Sequence, residues 1–300
     1  MTIKHLVLSG GGPSMIQTIG AIRHLHENKF IDFKNIETIY GTSAGIIIGI
    51  IICLNYDFET TYDYLIKRPW NELFSINVQH IFEAYTKKGI FDIKTIEKCF
   101  KPLFDAKDIS LDITLEDFYK YSNIELHFIT FDINNFQLED ISYLNNPSLS
   151  LMTAVQMTCG LPVLVSPVCL NDKCYVDGGV VCNYPIQFCI NSCKKEDEIL
   201  GFKNVYDKCD NVNINNDSSM LDFILSFLFK TINSLSKNIE QPSITHEVLC
   251  NASLLTLSYI NSAISSIDVR KELYQNGINY GKQFLTKQCV KIDQESPLTV

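Results

Sequence analysis

The chain has 300 residues and a formal charge of −9, with 46% hydrophobic and 20% charged residues. A chain this apolar can bury enough surface to offset its ordering entropy, which excludes disorder as its main state. Its acidic balance, without a stripe of Lys and Arg, excludes nucleic acid as a partner.

The first apolar run, residues 5–9, enters Gly10-Gly11-Gly12 where a secretion signal would have a cleavage site, so it predicts a strand of a mature, unsecreted protein. Residues 14–27 carry Ile16, Ile19, Ile22 and Leu25 at helical spacing. A second strand, 37–40, ends at Gly41-Thr42-Ser43-Ala44-Gly45 and runs straight into an apolar helix at 44–54. Its longest apolar stretch, the nine residues 46–54 interrupted only by Gly49, is half the length of a membrane span and fits a buried core helix. Strand, glycine turn and helix, repeated once, is the pattern of parallel βαβ units.

Residues 58–121 read as helical and more polar, with breaks at Pro69, Gly89 and Pro102, and suit a cap or insertion. Their aromatics, among them Phe74, Phe82, Tyr85, Phe91 and Phe104, fit an acyl channel or a core equally well. Strand signals return at 124–132, a helix at 150–158, a short strand at 174–176 ending in Asp177-Gly178-Gly179, and a further strand at 198–202. Residues 204–219 are rich in Asn, Asp and Ser and predict a solvated loop.

An amphipathic helix follows at 220–240, with Leu221, Ile224, Leu225, Leu228, Ile232, Leu235 and Ile239 on one face, Phe223 and Phe227 flanking it, and Lys230 and Lys237 on or beside it. Such a face packs on its own sheet or docks on a bilayer. A last helix is expected at 269–285. The eleven cysteines are odd in number and show no CxxC pair or Cys/His ligand spacing, so reduced, mostly buried thiols in a reducing compartment are expected, and no metal.

Three segments carry candidate chemistry. Gly41-Thr42-Ser43-Ala44-Gly45 matches G-x-S-x-G between an apolar strand and an apolar helix, where Gly41 and Gly45 permit a strained turn that pushes the Ser43 hydroxyl out as a nucleophile. The plainer reading is a tight turn of small residues. Gly10, Gly11 and Gly12 allow several N–H groups to converge on one oxygen, which an oxyanion hole requires. They are not a dinucleotide fingerprint, because Met15 stands at the third glycine position, and no Gly-Lys-Ser/Thr follows for a Walker loop. Asp177 lies at a strand end, where open α/β sheets bind ligands, although Asp-Gly is also an ordinary turn.

In this order the glycine nest, G-x-S-x-G and D-G-G resemble the patatin-like phospholipase family. The run Ala154-Val155-Gln156-Met157-Thr158-Cys159-Gly160-Leu161-Pro162, then Ser166-Pro167-Val168, Tyr175-Val176-Asp177-Gly178-Gly179-Val180 and Asn183-Tyr184-Pro185-Ile186, is similar to that family's stretch around its catalytic Asp. The resemblance implies a three-layer α/β/α fold with a mostly parallel sheet. Residues 5–190 would form the catalytic domain, and 191–300 a C-terminal strand and helical portion completing the same fold.

It further implies a cofactor-free lipid acyl hydrolase of phospholipase A or lysophospholipase type. Ser43 would be the nucleophile, Asp177 the group that takes its proton, and Gly10, Gly11 and Gly12 the oxyanion hole. Gly178 and Gly179 belong to the same motif. The expected partner is a lipid or membrane surface, with an activator protein compatible, and the expected location is cytoplasmic or peripheral on membranes.

The sequence departs from the family at Pro13-Ser14-Met15, where a small residue, Arg or Lys, and Gly usually stand. That departure motivates a second expectation, a catalytically weak domain that binds lipid or a partner. An acyltransferase would share every residue named. Among hydrolases the alternative is a Ser-Asp-His triad, for which only His246 follows Asp177 in chain order, with an ordinary surface or hydrogen-bonded role as its simpler reading.

Overall fold

A computed structural model describes residues 2–76, 78–192, 195–206, 214–236 and 242–295. The elements run β1 (His5–Leu8), α1 (Met15–Glu27), β2 (Thr38–Thr42), α2 (Ala44–Cys53), α3 (Phe58–Lys67), α4 (Trp70–Leu73), α5 (Val78–Lys87), β3 (Gly89–Phe91), α6 (Ile93–Asp105) and α7 (Leu115–Ser122). They continue with β4 (Glu125–Asp132), β5 (Gln137–Ile141), α8 (Leu151–Cys159), β6 (Val163–Val165), β7 (Val168–Leu170), β8 (Lys173–Asp177), α9 (Ile186–Ser192), β9 (Ile199–Tyr206), α10 (Met220–Ser236), β10 (His246–Ala252), α11 (Leu257–Ser265) and α12 (Ile267–Glu295).

The central sheet runs β10-β9-β1-β2-β4-β8-β7, with β5 also paired to β4. The first five strands are mutually parallel, whereas β8, β7 and β5 join antiparallel. Alternation along β1 sends Leu6 and Leu8 to one face and Val7 to the other, and β2 does the same with Ile39 and Tyr40. The Leu6 face carries the main core, where Ile19, Ile22 and Leu25 of α1, Ile46 and Ile50 of α2, and Tyr274 and Phe284 of α12 are buried together. The opposite layer is thin, with Val7, Tyr40, Tyr184 and Ile186 of α9 packed with Ile199 and Ile244. α2 is apolar all round because it lies beneath other elements, and no described helix is long and apolar enough to cross a membrane.

Glycine lets α1 and α12 touch. A Cβ on Gly277 would lie 1.8 Å from the Gln17 carbonyl oxygen, and one on Gly20 would lie 2.2 Å from that of Tyr274.

The structure corrects the cysteine expectation at one pair. Cys169 and Cys174 stand directly opposite each other across the β7–β8 hairpin and form a disulfide. Opposed strand positions hold their Cβ atoms within reach of such a bond. Among the described residues, Cys53, Cys99, Cys159, Cys182, Cys250 and Cys289 are free thiols.

Helix α10 fits neither expectation alone. Leu225 is buried, and Leu221, Leu228 and Phe229 pack with it on Leu161 and Leu164, while Met220, Phe223 and Phe227 of the same helix stand exposed. Lys237 and Ile239 lie outside the described residues, as do the side chains of Ile232 and Leu235 and part of the expected 204–219 loop.

Candidate active site

Sheet register brings Ser43 and Asp177 together. Thr42, the last residue of β2, pairs with Ile129 of β4, and the next β4 residue, Thr130, pairs with Asp177 of β8. Because β8 runs against β4, Asp177 reaches the site from the opposite direction to the parallel strands, yet it ends its own strand level with the residue that follows β2, at the carboxyl edge that the sequence suggested.

Ser43 has φ 52° and ψ −125°, a conformation costly for a residue with a Cβ, and α2 starts immediately after it. The flanking glycines are steric requirements. A Cβ on Gly41 would lie 2.7 Å from Ile46 N, and one on Gly45 only 2.3 Å from the Leu8 carbonyl oxygen. The Ser43 N–H donates to Thr158 Oγ1 at 2.9 Å, and the Thr158 hydroxyl donates to the Ile129 carbonyl at 2.6 Å. The turn is therefore tied to both α8 and β4.

Asp177 is 5% exposed. Burial raises its pKa from 3.8 to about 6, partly offset by the nearby Ser43 hydroxyl and by the hydrogen bond that the carboxylate accepts from the Gly179 N–H. The Gly179 bond is 2.7 Å long. Gly178 fits only because it lacks a side chain, since a Cβ there would lie 2.4 Å from the Ile129 carbonyl oxygen. The Cys159 thiol lies near Ser43, and burial pushes its pKa up.

The three glycines are not equivalent. The Gly10 N–H donates to the Asn183 carbonyl at 3.0 Å, which removes it from the expected set of oxyanion donors. Gly11 (φ 152°) and Gly12 (φ 53°) line the cavity, and among the described residues neither donates its N–H within the protein. Pro13 sits in the single 3-10 turn that opens α1, a position where its missing N–H leaves no intrahelical bond unmade. Ser14 is buried against Tyr259, with a hydroxyl–hydroxyl distance of 3.2 Å.

These groups face a cavity of about 850 Å³ whose lining is mostly apolar, including Trp70, Phe74, Phe91, Phe100 and Leu164. Among the described residues that line it, Asp177 is the only carboxylate and there is no histidine. The expected aromatics divide: Phe74 and Phe91 line the cavity, Phe104 is core, and Phe82 and Tyr85 are exposed on α5.

His246 does not join the site, which removes the triad. It opens β10 level with Leu200, whereas Asn204 pairs with Cys250 four residues further on, a displacement of roughly 13 Å along the strand. His246 is buried, edge-on to Phe30, instead of at the surface. Sequence reasoning assigned Thr158 and Asn183 no role of their own within the runs that resemble the family's stretch around its catalytic Asp, and it missed Asn204, an isolated polar residue in β9 that carries no local pattern.

A family model described as patatin-like phospholipase matches residues 6–190. A probable lipid hydrolase, 463L, of Invertebrate iridescent virus 6 is 26% identical over 197 residues, 65% of this chain and 66% of that protein. The triacylglycerol lipase ptl3 of Schizosaccharomyces pombe is 24% identical over 56% of this chain, and this chain spans 35% of its length. The fold is similar to that of VipD from Legionella pneumophila, with a TM-score of 0.57, 19% identity, and coverage of 96% of this chain and 67% of that one.

Proposed function

The chain belongs to the patatin-like phospholipase family, a family of lipid hydrolases, and from that premise we propose that it cleaves carboxylic esters of phospholipids through a Ser43–Asp177 dyad. The observation that carries this reading is the sheet register that sets Ser43, in its strained turn, beside the buried carboxylate of Asp177 at an apolar cavity.

In the first half-reaction Asp177 takes the hydroxyl proton as Ser43 Oγ attacks the acyl carbonyl. The resulting oxyanion lies toward the Gly11 and Gly12 N–H groups, and the alcohol portion leaves with the proton returned from Asp177. Water then attacks the acyl-enzyme, with Asp177 accepting its proton and returning it to Ser43 Oγ as the acyl–Oγ bond breaks, and free fatty acid departs. A carboxylate is a weak base for a hydroxyl. A pKa near 6 narrows that mismatch while leaving Asp177 mostly ionised at neutral pH. Exposed Met220, Phe223 and Phe227 on α10, above the side that packs by the cavity, offer apolar surface to a lipid interface and favour peripheral membrane attachment.

The test is release of fatty acid from mixed phospholipid vesicles and from p-nitrophenyl butyrate, with chelator present. Wild type, Ser43→Ala, Asp177→Asn and His246→Ala are compared. Loss in the first two variants and retention in His246→Ala supports the dyad. Transfer of the acyl group to an added alcohol in preference to water would reassign the protein as an acyltransferase. A folded wild type inactive on every ester, with or without added activator extracts, would leave a lipid- or partner-binding domain.

A further inference from the structure

The peptide between Gly10 and Gly11 is held in an unusual way. The Gly10 carbonyl oxygen accepts hydrogen bonds from two side-chain amides, Asn204 Nδ2 at 2.7 Å and Asn183 Nδ2 at 3.1 Å. Asn183 also accepts the Gly10 N–H on its own backbone carbonyl, so it grips both polar groups of that residue. Each amide is anchored in turn. Asn204 lies in β9, which pairs with β1, and its N–H donates to Ser9 Oγ at 3.2 Å. Asn183 Nδ2 is also shared with the Tyr206 hydroxyl at 3.2 Å, and the Thr42 hydroxyl donates to the neighbouring Cys182 carbonyl.

We propose that Asn183 and Asn204 are positioning residues that set the oxyanion hole by fixing the Gly10 carbonyl, so that the trans-related Gly11 N–H faces the cavity. The physical basis is the planar trans peptide, in which the N–H points opposite to the C=O. A loop whose next two residues have φ 152° and φ 53° is free of the steric limits that would otherwise hold this plane. A flip would aim a carbonyl oxygen at the developing negative charge and would strand two amide donors. The amides thus hold by hydrogen bonding what the glycines leave loose. Glycine at position 10 belongs to the same device, because a Cβ there would lie 2.6 Å from Asn183 Oδ1 and displace that amide.

The inference rests on the acyl-hydrolase reading, and the experiment separates the two. Asn204→Leu, Asn204→Ser and Asn183→Ser are compared with wild type for kcat and KM on p-nitrophenyl butyrate. Affinity is measured for a trifluoromethyl ketone, which adds to the Ser43 hydroxyl and places a negative oxygen in the hole. Because direct loss of one oxyanion donor costs about 100-fold or more in kcat, misaiming one is expected to lower kcat by about 10-fold, with KM unchanged and ketone affinity lowered by a similar factor. Asn204→Ser, a smaller polar change, keeps the test open if the leucine variant does not fold. Unchanged kcat, or a fall in kcat with no loss of ketone affinity, overturns the proposal. A wild type that neither hydrolyses the ester nor binds the ketone removes the acyl-hydrolase reading itself and this role with it, a result distinct from active variants of an active enzyme.

Discussion

Replacing Asp177 by Asn should stabilise the fold while abolishing activity. The carboxylate is buried, and its pKa rises from 3.8 to about 6 on folding, so the folded state binds the proton more tightly than the unfolded state. Its ionisation therefore costs stability as pH rises from about 4 to above 6, the opposite of the usual salt-bridged carboxylate. At about 1.4 kcal/mol per pH unit the cost approaches 3 kcal/mol at pH 7.5. Asn keeps the volume and an acceptor for the Gly179 N–H without the charge. For a chain of this size the gain corresponds to a Tm rise of about 6 °C. Urea unfolding followed by the fluorescence of Trp70, the single tryptophan, reports it from pH 4 to 8. The stability gap should be widest at pH 7.5 and close as pH falls toward 4. A variant no more stable than wild type at pH 7.5, or a gap that ignores pH, would refute the burial argument.

Further outcomes follow from the same geometry. The pH profile of kcat/KM should rise with an apparent pKa near 6 and level off above it, because only ionised Asp177 accepts the Ser43 proton; a profile flat from pH 5 to 8 would contradict this. Thr158→Val should lower stability by about 1–3 kcal/mol in urea unfolding, since it leaves the Ser43 N–H and the Ile129 carbonyl without their partner in a buried site. Gly45→Ala should yield little soluble protein on expression, because its Cβ would press on the Leu8 carbonyl, a backbone atom that has nowhere to move. Burial opposes protonation of His127, but a hydrogen bond with Asp140 and an ion pair with Glu125 outweigh it and raise its pKa to about 9. That contribution is full below about 6.5 and is lost as pH climbs through 9, so thermal scans should show an alkaline loss of stability that His127→Gln lacks.

What was legible in the sequence was local. The elements around Gly10-Gly11-Gly12 and Gly41-Thr42-Ser43-Ala44-Gly45 could be read because apolar periodicity changes from two to about 3.6 at each glycine turn. β10 was missed although its burial alternates along His246–Ala252, because polar His246, Glu247 and Asn251 dilute the apolar signal in a short strand. The β7–β8 hairpin was missed as a hairpin. Its Asn171-Asp172 turn, both residues at positive φ, is a two-residue turn signal that stands just ahead of the strand expected at 174–176. The antiparallel sense of β8 could not be read, since strand direction depends on pairing rather than composition. The Asn183–Gly10–Asn204 contact joins residues 173 and 194 positions apart, and no local pattern announces a convergence at that range.

The order of strands in the sheet also has a temporal side. β1 sits between β2 and β9, and β9 begins 191 residues after β1 ends. At a synthesis rate of roughly 5–20 residues per second, β1 waits on the order of ten seconds or more for its second neighbour. Ser43 and Asp177 both emerge before β9 does. A growing chain therefore carries its nucleophile and its carboxylate while the strand beside the glycine loop still has one open edge. Completion of β9 is the event after which the site can first take its final shape.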